Sequence, residues 1–582
     1  PIRFSNKNTE STFYKYEWNF GDNSTDTTHS PSHQYLDTGA YQVSYKLSSS
    51  STNSTCTNLL TKTIHIRPTY VLSDLNDYSQ SFEKETDGWI PETLVEGDTV
   101  NSWEWGIPSG KVINSAVHGY FAYVTGLSTV YKSNENSAVT SPCFDLSELD
   151  RPMISLSTFR RIDNVRDGAV MEYSTDDGNT WKIIGAVNGG INWYNGSNIT
   201  VRPGSDQVHG WTDTTQNWVV SRYDLDQVGL LGEKNVRFRI AFESDGAISY
   251  DGFAFDNIQI RNRTRRVLME HFSNYESPAS YTSDATIDLI RETKPQDAID
   301  ILYESSLSVD NYFYNKYSLG VNAREAYYNI TSVPYTYFDG LYSYNYQGDN
   351  KPNDVALISK ALIDPAFQID LTVEGTGNGL AINTQLTALE EITNRQLQLF
   401  TAIVEKDVSY NPGTGMLTFQ NVLRRFVPSP SGEYINKSWS IGDDKEYNYT
   451  YTLNSYIENP ANLIVVTFVQ DELTKEILQT VTSDTTLNPA VSIQDWFANT
   501  KNLDMLIFPN PTHSEAYLVL SETPTNNSFV EILNQQGKVV QRVNPLSEQQ
   551  VKIETHSLVQ GIYFVRWVNN DRQVVKKLVV VH

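Results

Sequence analysis

Along most of the chain, apolar and polar residues alternate one by one. Tyr16-Glu17-Trp18-Asn19-Phe20 and Val236-Arg237-Phe238-Arg239-Ile240 are two such runs. Phe367, Ile369, Leu371 and Val373 form another, and Leu397, Leu399, Thr401 and Ile403 a fourth. A period of two places successive side chains on opposite faces, so each run predicts a strand with one buried face. Continuous β-branched runs such as Leu463-Ile464-Val465-Val466-Thr467-Phe468-Val469 predict strands covered on both faces. Between about 264 and 350 the pattern changes. Val267–Glu270 and Ala298–Tyr303 read as strands. Ser283–Thr293 reads as a helix with Ile287, Leu289 and Ile290 available to a core, and Asn322–Tyr328 as a second helix. Ser332–Gly340 reads as a proline-initiated strand and turn. The fold class predicted is mainly β and multidomain, with one α/β domain.

Composition narrows this picture. A chain of 582 residues exceeds one hydrophobic core and predicts about three to five domains. A net charge of −25 argues against nucleic acid as a partner, since phosphate binding needs clustered Lys and Arg. No apolar run approaches the length of a membrane span. With 35 Tyr, 23 Phe and 11 Trp in a chain only 39% hydrophobic, the apolar content is concentrated in aromatic side chains that favour strands. Cys56 and Cys143 are the only cysteines and fall in different predicted domains, which gives neither a disulfide framework nor a zinc cluster. There is no His-Glu-x-x-His helix, Gly-x-Ser-x-Gly elbow, phosphate loop or dinucleotide fingerprint.

The final stretch, 503–582, carries Phe508-Pro509-Asn510-Pro511, then Val530–Asn534, Gly537-Lys538-Val539-Val540, Gly561-Ile562-Tyr563-Phe564-Val565 and Lys576–Val581. Short β-rich runs split by Gly, Asn and Pro read as a small sandwich. Their order resembles the type A C-terminal sorting domain of type IX secretion cargo in the Bacteroidota, with Pro509, Asn510, Pro511, Gly537, Lys538, Gly561 and Tyr563 as its landmarks. The resemblance implies export across the outer membrane, recognition by the translocon and its outer-membrane shuttle protein, and later removal of the domain. Export requires a signal peptide, so the sequence is expected to begin inside a longer protein and to represent a precursor form.

Residues 1–68 contain Trp18-Asn19-Phe20-Gly21-Asp22 and His33-Gln34-Tyr35, similar to a PKD domain whose first strand is truncated; His33 is read as a hydrogen-bonded structural residue. Residues 70–263 contain Ser81-Phe82-Glu83, Trp103-Glu104-Trp105-Gly106 and Asp251-Gly252-Phe253-Ala254-Phe255-Asp256-Asn257, a set that resembles MAM-like jelly-roll domains. That resemblance implies a calcium ion near the jelly-roll edge, with Glu83 and Asp256 as candidate ligands; a strand or turn cap is the competing reading of both. Ser174-Thr175-Asp176-Asp177-Gly178-Asn179-Thr180-Trp181 looks like the Asp-box of sialidases, which is a hairpin motif and no basis for a glycosidase.

Residues 264–350 resemble a thioredoxin-like outer-membrane protein family of the Bacteroidota, through Glu270-His271-Phe272-Ser273-Asn274, Ala323-Arg324 with Tyr327-Tyr328, and Val333-Pro334. The Cys-x-x-Cys of that family is replaced by Ser277-Pro278-Ala279-Ser280. A hydroxyl cannot carry out thiol–disulfide exchange, so Ser277, Ser280 and Pro334, the last a cis-proline by resemblance, mark a vestigial redox site. Ser277 as a hydrolytic nucleophile would need a base, and His271 is the nearby histidine. Residues 352–493 read as the Ig-like β-sandwich that follows the thioredoxin part in the same family. Thr27, Thr99, Thr214 and Thr485 each follow Asp in the Asp-Thr-x signal for O-glycosylation in these bacteria.

The function these features predict is non-enzymatic: a cell-surface or secreted protein serving adhesion, surface assembly or gliding, binding a surface glycan or protein. Two alternatives stand beside it. The chain is the accessory region of a larger secreted hydrolase whose catalytic domain lies upstream, or the Trp-rich jelly-roll is a lectin.

Overall fold

The computed structural model describes residues 2–483 and 505–581, apart from 8–9, 50–56, 308, 349, 377–378, 413–415, 458–461, 509–511, 513, 521, 526, 536, 544–549 and 571. The described residues are mostly strands arranged in sandwiches, with few helices. At the N-terminal end, Tyr14–Asn19 pairs with Thr25–Asp26 and with Gly39–Ser49, which pairs in turn with Thr57–Ile66. The expected alternation holds: Tyr16 and Trp18 are buried while Glu17 and Asn19 face out. His33 is a packing residue. Its Nε2 lies 2.6 Å from Asp22, and its ring stacks on Phe20 with centroids 4.2 Å apart.

Residues 69–262 form two six-stranded sheets packed face to face around one aromatic-rich core. One sheet runs Trp103–Gly106, Ala122–Thr125, Gly252–Asn262, Pro152–Arg161, Val219–Asp224, with Tyr78–Gln80 also paired to Gly252–Asn262; the other runs Lys182–Ile183, Gly168–Ser174, Val236–Glu243, Asn136–Asp145, Thr69–Val71, with Ile90–Thr93 also paired to Asn136–Asp145. Val236, Phe238 and Ile240 are fully buried as the alternation requires. The opposite face of that strand departs from expectation, because Arg239 is also buried. Its guanidinium pairs with Glu172 at 2.7 Å and donates to Ser205, so the 203–206 segment covers a face that the pattern assigns to water. Tryptophan here is core material: Trp89, Trp103, Trp193 and Trp211 are all buried.

In the next segment Val267–Ser273 runs parallel to Ala298–Glu304 and antiparallel to Tyr335–Phe338, which continues into Tyr342–Tyr344. The order 298–304, 267–273, 335–338, 342–344 is that of a thioredoxin-like core, and the Val333–Pro334 peptide is cis. The first helix is Pro278–Thr293, starting five residues before the apolar pattern suggests. Pro278 at its first turn is preorganised for helix and its missing N–H costs nothing there. A further helix, Asp354–Ala361, has no counterpart in the sequence reading; Asn353 caps it through Val355 N and Ala356 N.

This sheet does not stop at residue 304. Leu302 pairs with Val422, and the sheet continues through Leu417–Val427, Leu397–Tyr410, Leu463–Asp471 and Ile477–Thr482. Segments that read separately in the sequence therefore share one sheet. A three-stranded sheet, Phe367–Thr376, Gly379–Ala388 and Asp444–Thr452, packs on its far half around Leu386, Leu399, Trp439 and Val469.

Buried charges tie the jelly-roll to this body. Arg263 donates to Asp224, to Asp226 at 2.9 Å and to Asp297 at 3.2 Å. Arg151 also reaches Asp297, at 2.5 Å. Arg265 pairs with Asp339 at 2.7 Å. Burial raises the Asp297 carboxyl, but Arg263 and Arg151 outweigh it and hold the group below its usual range. The C-terminal sandwich sets Met505–Phe508, Glu515–Leu520 and Gln550–Glu554 against Val539–Val543, Phe529–Leu533, Gly561–Asn569 and Arg572–Val580.

Candidate functional site

The strand Val267–Ser273 leads into Ser277–Ser280, the segment that the sequence resemblance sets in place of a Cys-x-x-Cys. Ser277 is the half-exposed N-cap of the helix, and its backbone oxygen accepts from Ser280 N at 2.9 Å. Ser280 is fully buried, with its Oγ accepting from Asn274 N at 3.1 Å. One serine of the pair is thus a structural bond acceptor and the other a capping position.

His271 offers no base to Ser277. Its Nδ1 lies 2.7 Å from Thr336 Oγ1 and its Nε2 2.8 Å from Asp284 Oδ1, while the ring is only 2% exposed. Both ring nitrogens are engaged by groups other than Ser277, so the ring is not placed to take the proton of that hydroxyl.

Three motif fragments meet in one buried network beside this site. Arg324 grips Glu270 with two bonds, of 2.8 and 2.6 Å. Tyr303 and Tyr328 donate to the same carboxylate at 2.8 and 2.6 Å. Gln470, from the distant Phe468-Val469-Gln470-Asp471 run, accepts from Arg324 at 2.9 Å and donates to Tyr328. The Glu270 carboxylate raises the Arg324 guanidinium further above its normal range, against the opposing effect of burial. Nearby Glu304 is buried, with no partner for its Oε1 among the described residues. Burial pushes its carboxyl up to about 8. The sequence reading missed the roles of both Glu270 and Glu304.

The jelly-roll candidates Glu83 and Asp256 lie at one loop. Glu83 accepts from Tyr120 N and Phe121 N, each at 2.9 Å. Asp256 accepts from Val117 N at 3.3 Å and from Asn257 N at 2.7 Å. A Cβ on Gly119 would fall 2.2 Å from the Glu83 carboxyl carbon, so only glycine lets the loop approach this closely. Burial, with the Glu83 charge adding to it, pushes Asp256 up to about 7. Among the described residues neither acid pairs with Lys or Arg. The bonds seen are those of loop caps, the competing reading of both acids; two hard carboxylates without a Lys or Arg partner among the described residues would suit a calcium ion in charge and donor type. They supply only part of the roughly six to eight oxygens that calcium takes, so backbone carbonyls would have to complete the set. No group of three or more His, Cys, Asp or Glu stands ready for a metal among the described residues.

The Asp-box is a turn. Asp177 and Gly178 have φ of 61° and 87°. Asp176 accepts from Thr180 N at 2.8 Å and from Thr180 Oγ1 at 2.7 Å, bonds that lower its carboxyl to about 2. Trp181 donates to Gly178 O at 3.1 Å and carries Arg239 over its face.

In the C-terminal sandwich Gly537 has φ 74°, closing the hairpin in which Lys538 N donates to Asn534 Oδ1 at 3.0 Å. Lys538 itself is exposed. Gly561 opens the strand in which Tyr563 is buried and donates to Val559 O at 2.8 Å. Pro509, Asn510 and Pro511 lie outside the described residues, as does Thr485. Thr27 and Thr99 are exposed beside Asp26 and Asp98, and Thr214 accepts from Arg161 at 2.8 Å.

Known families match both ends of the chain. Residues 506–581 match the secretion system C-terminal sorting domain, and residues 2–64 match the PKD domain. The chain is therefore a sorted cargo of the type IX secretion system, carried across the outer membrane to the cell surface or the medium and recognised by that machinery. Bacillopeptidase F of Bacillus subtilis (strain 168) is 20% identical over 424 residues, which cover 71% of this chain and 25% of that protein. The chain thus spans about a quarter of the length of that curated relative. HBP35 of Porphyromonas gingivalis is 15% identical with a TM-score of 0.31, over 55% of this chain and 98% of that one. The K1 cleaved adhesin domain of Lys-gingipain from Porphyromonas gingivalis W83 is 13% identical with a TM-score of 0.21, over 32% and 99%. No helix among the described residues is long and apolar enough to cross a membrane.

Proposed function

We propose that this protein is a non-catalytic binding protein of the cell surface or medium, serving adhesion, surface assembly or gliding. The observation that carries this reading is the state of the vestigial redox centre. Ser280 and the neighbouring His271 are committed to the fold by buried hydrogen bonds, and Ser277 is a half-exposed helix cap with no histidine bonded to it among the described residues. Binding then falls to the sandwich surfaces, and the outer-membrane shuttle protein joins the translocon as a partner of the C-terminal domain. Calcium at Glu83 and Asp256 would hold the 117–121 loop in place by neutralising both acids. A turnover assay tests the reading: the purified chain should neither reduce insulin disulfides nor hydrolyse acyl esters, and activity abolished by Ser277→Ala would overturn it.

A second reading has the chain as the accessory region of a secreted peptidase, supported by its match to part of Bacillopeptidase F. A catalytic domain encoded upstream of Pro1 in the full gene would favour it, and further adhesive repeats there would count against it. The lectin alternative loses its main support, because the tryptophans that suggested it are largely core residues.

A further inference from the structure

Asp444–Thr452 is an outer strand, hydrogen-bonded to Gly379–Ala388 on one side and unpaired on the other among the described residues. Soluble proteins normally blunt such an edge with charge, proline or a bulge. Asp444, Lys445 and Glu446 blunt its opening residues. Tyr447-Asn448-Tyr449-Thr450-Tyr451-Thr452 carries no charge and no proline, and it pairs with its neighbour without a register shift.

Beside this unguarded half lies a cavity of about 470 Å³, lined by Arg425, Val427, Pro428, Asn454 and residues 448–452 of the strand. Lining by consecutive residues means that the cavity follows the edge of the strand rather than one of its faces, since alternate side chains point opposite ways. The next observation is electrostatic. Arg424 pairs with Glu405 at 2.6 Å. Its half-buried neighbour Arg425 has no carboxylate partner among the described residues, and its guanidinium lies over the Tyr317 ring at 5.2 Å. Tyr451, 8% exposed, also lines the cavity, its ring packed in the apolar cluster with Ile382, Val427 and Val465. In a chain of net charge −25, a guanidinium with no carboxylate partner among the described residues selects an anionic group.

We propose that the Asn448–Thr452 edge takes up an extended, acidic peptide segment of a partner protein as an added strand, with a carboxylate of that segment bound by Arg425. Main-chain bonds along the edge would supply affinity, and alternate side chains entering the cavity would supply selectivity. The guanidinium–carboxylate contact would set the register.

The test uses the full chain and fluorescein-labelled heptapeptides of alternating Thr and Val, with Glu, Gln or Lys at the centre. The Glu peptide should bind about tenfold more tightly than the Lys peptide, and Arg425→Glu should reverse that order. N-methylation of one alternate set of its amides should abolish binding, which probes the edge without altering the protein. Arg425→Gln, checked by thermal melting, should remove the preference while leaving backbone-driven binding. Failure of every heptapeptide to bind at millimolar concentration would overturn the proposal, as would binding indifferent to both Arg425→Glu and N-methylation. Binding of a sialylated or glucuronylated oligosaccharide that Arg425→Glu removes, with no peptide bound, would assign the cavity to an acidic sugar instead.

Discussion

Glu270 and Arg324 form a two-pronged ion pair, 2.6 Å at its shorter bond, with both side chains essentially removed from solvent. They come from a strand and from a helix, and Gln470 joins them from a strand of the Ig-like half. Gln470, bonded to both Arg324 and Tyr328, makes the network around this pair a fastener between the two halves of the shared sheet. Glu270→Gln leaves Arg324 buried without its counter-charge and should cost about 3–5 kcal/mol in urea unfolding. The double variant Glu270→Gln with Arg324→Met should cost less than the sum of the single losses, because the uncompensated charge is gone.

Calcium should stabilise the jelly-roll in a pH-dependent way. An acid raised in the folded state to about 7 binds more protons folded than unfolded, so its contribution to stability falls as pH rises from about 4 through about 7. A cation that needs the ionised carboxylate should reverse this loss. Melting with calcium against chelator should show a gap that widens between pH 5 and pH 7.5 and closes in Asp256→Asn, as linkage requires. An equal gap at both pH values would place calcium elsewhere.

Glu304 should behave as a buried burden at alkaline pH. Its carboxyl is raised to about 8, so the folded state loses stability as pH climbs from about 4.3 through that value. Glu304→Gln should raise the melting temperature at pH 8.5 and leave it unchanged near pH 4. Calorimetry at the two pH values decides this.

Asp297 should couple the jelly-roll to the thioredoxin-like body. Its carboxyl is depressed, so the stability it contributes is present above its ordinary value of about 3.9 and is lost as pH falls through the lower folded value. Asp297→Ala leaves Arg151 without a carboxylate and Arg263 held only by Asp224 and Asp226 on the jelly-roll side, and it should split a single calorimetric transition into two. A variant that still melts as one unit would show that the ion cluster is incidental to the coupling.

The parts that were legible in the sequence were those fixed by short-range chemistry. Trp18 and Phe20 announce a half-buried strand by their period, and Gly537 announces a hairpin by its position between β-prone runs. Three other features were not legible, each for a physical reason. The Leu302–Val422 pairing joins strands far apart in the chain, and nothing local marks a sheet edge as occupied. Arg239 reads as a solvent-facing residue until the 203–206 segment covers it. The tryptophans of the jelly-roll satisfy a lectin and a hydrophobic core equally well on composition, and only burial separates the two.

The most direct test of the whole account is cell fractionation of a strain producing the chain without residues 503–582, with mass spectrometry of each fraction. The account predicts that the truncated protein vanishes from the surface and the medium and accumulates inside the outer membrane, while the intact gene yields surface or secreted product. Unchanged delivery of the truncated protein would contradict it.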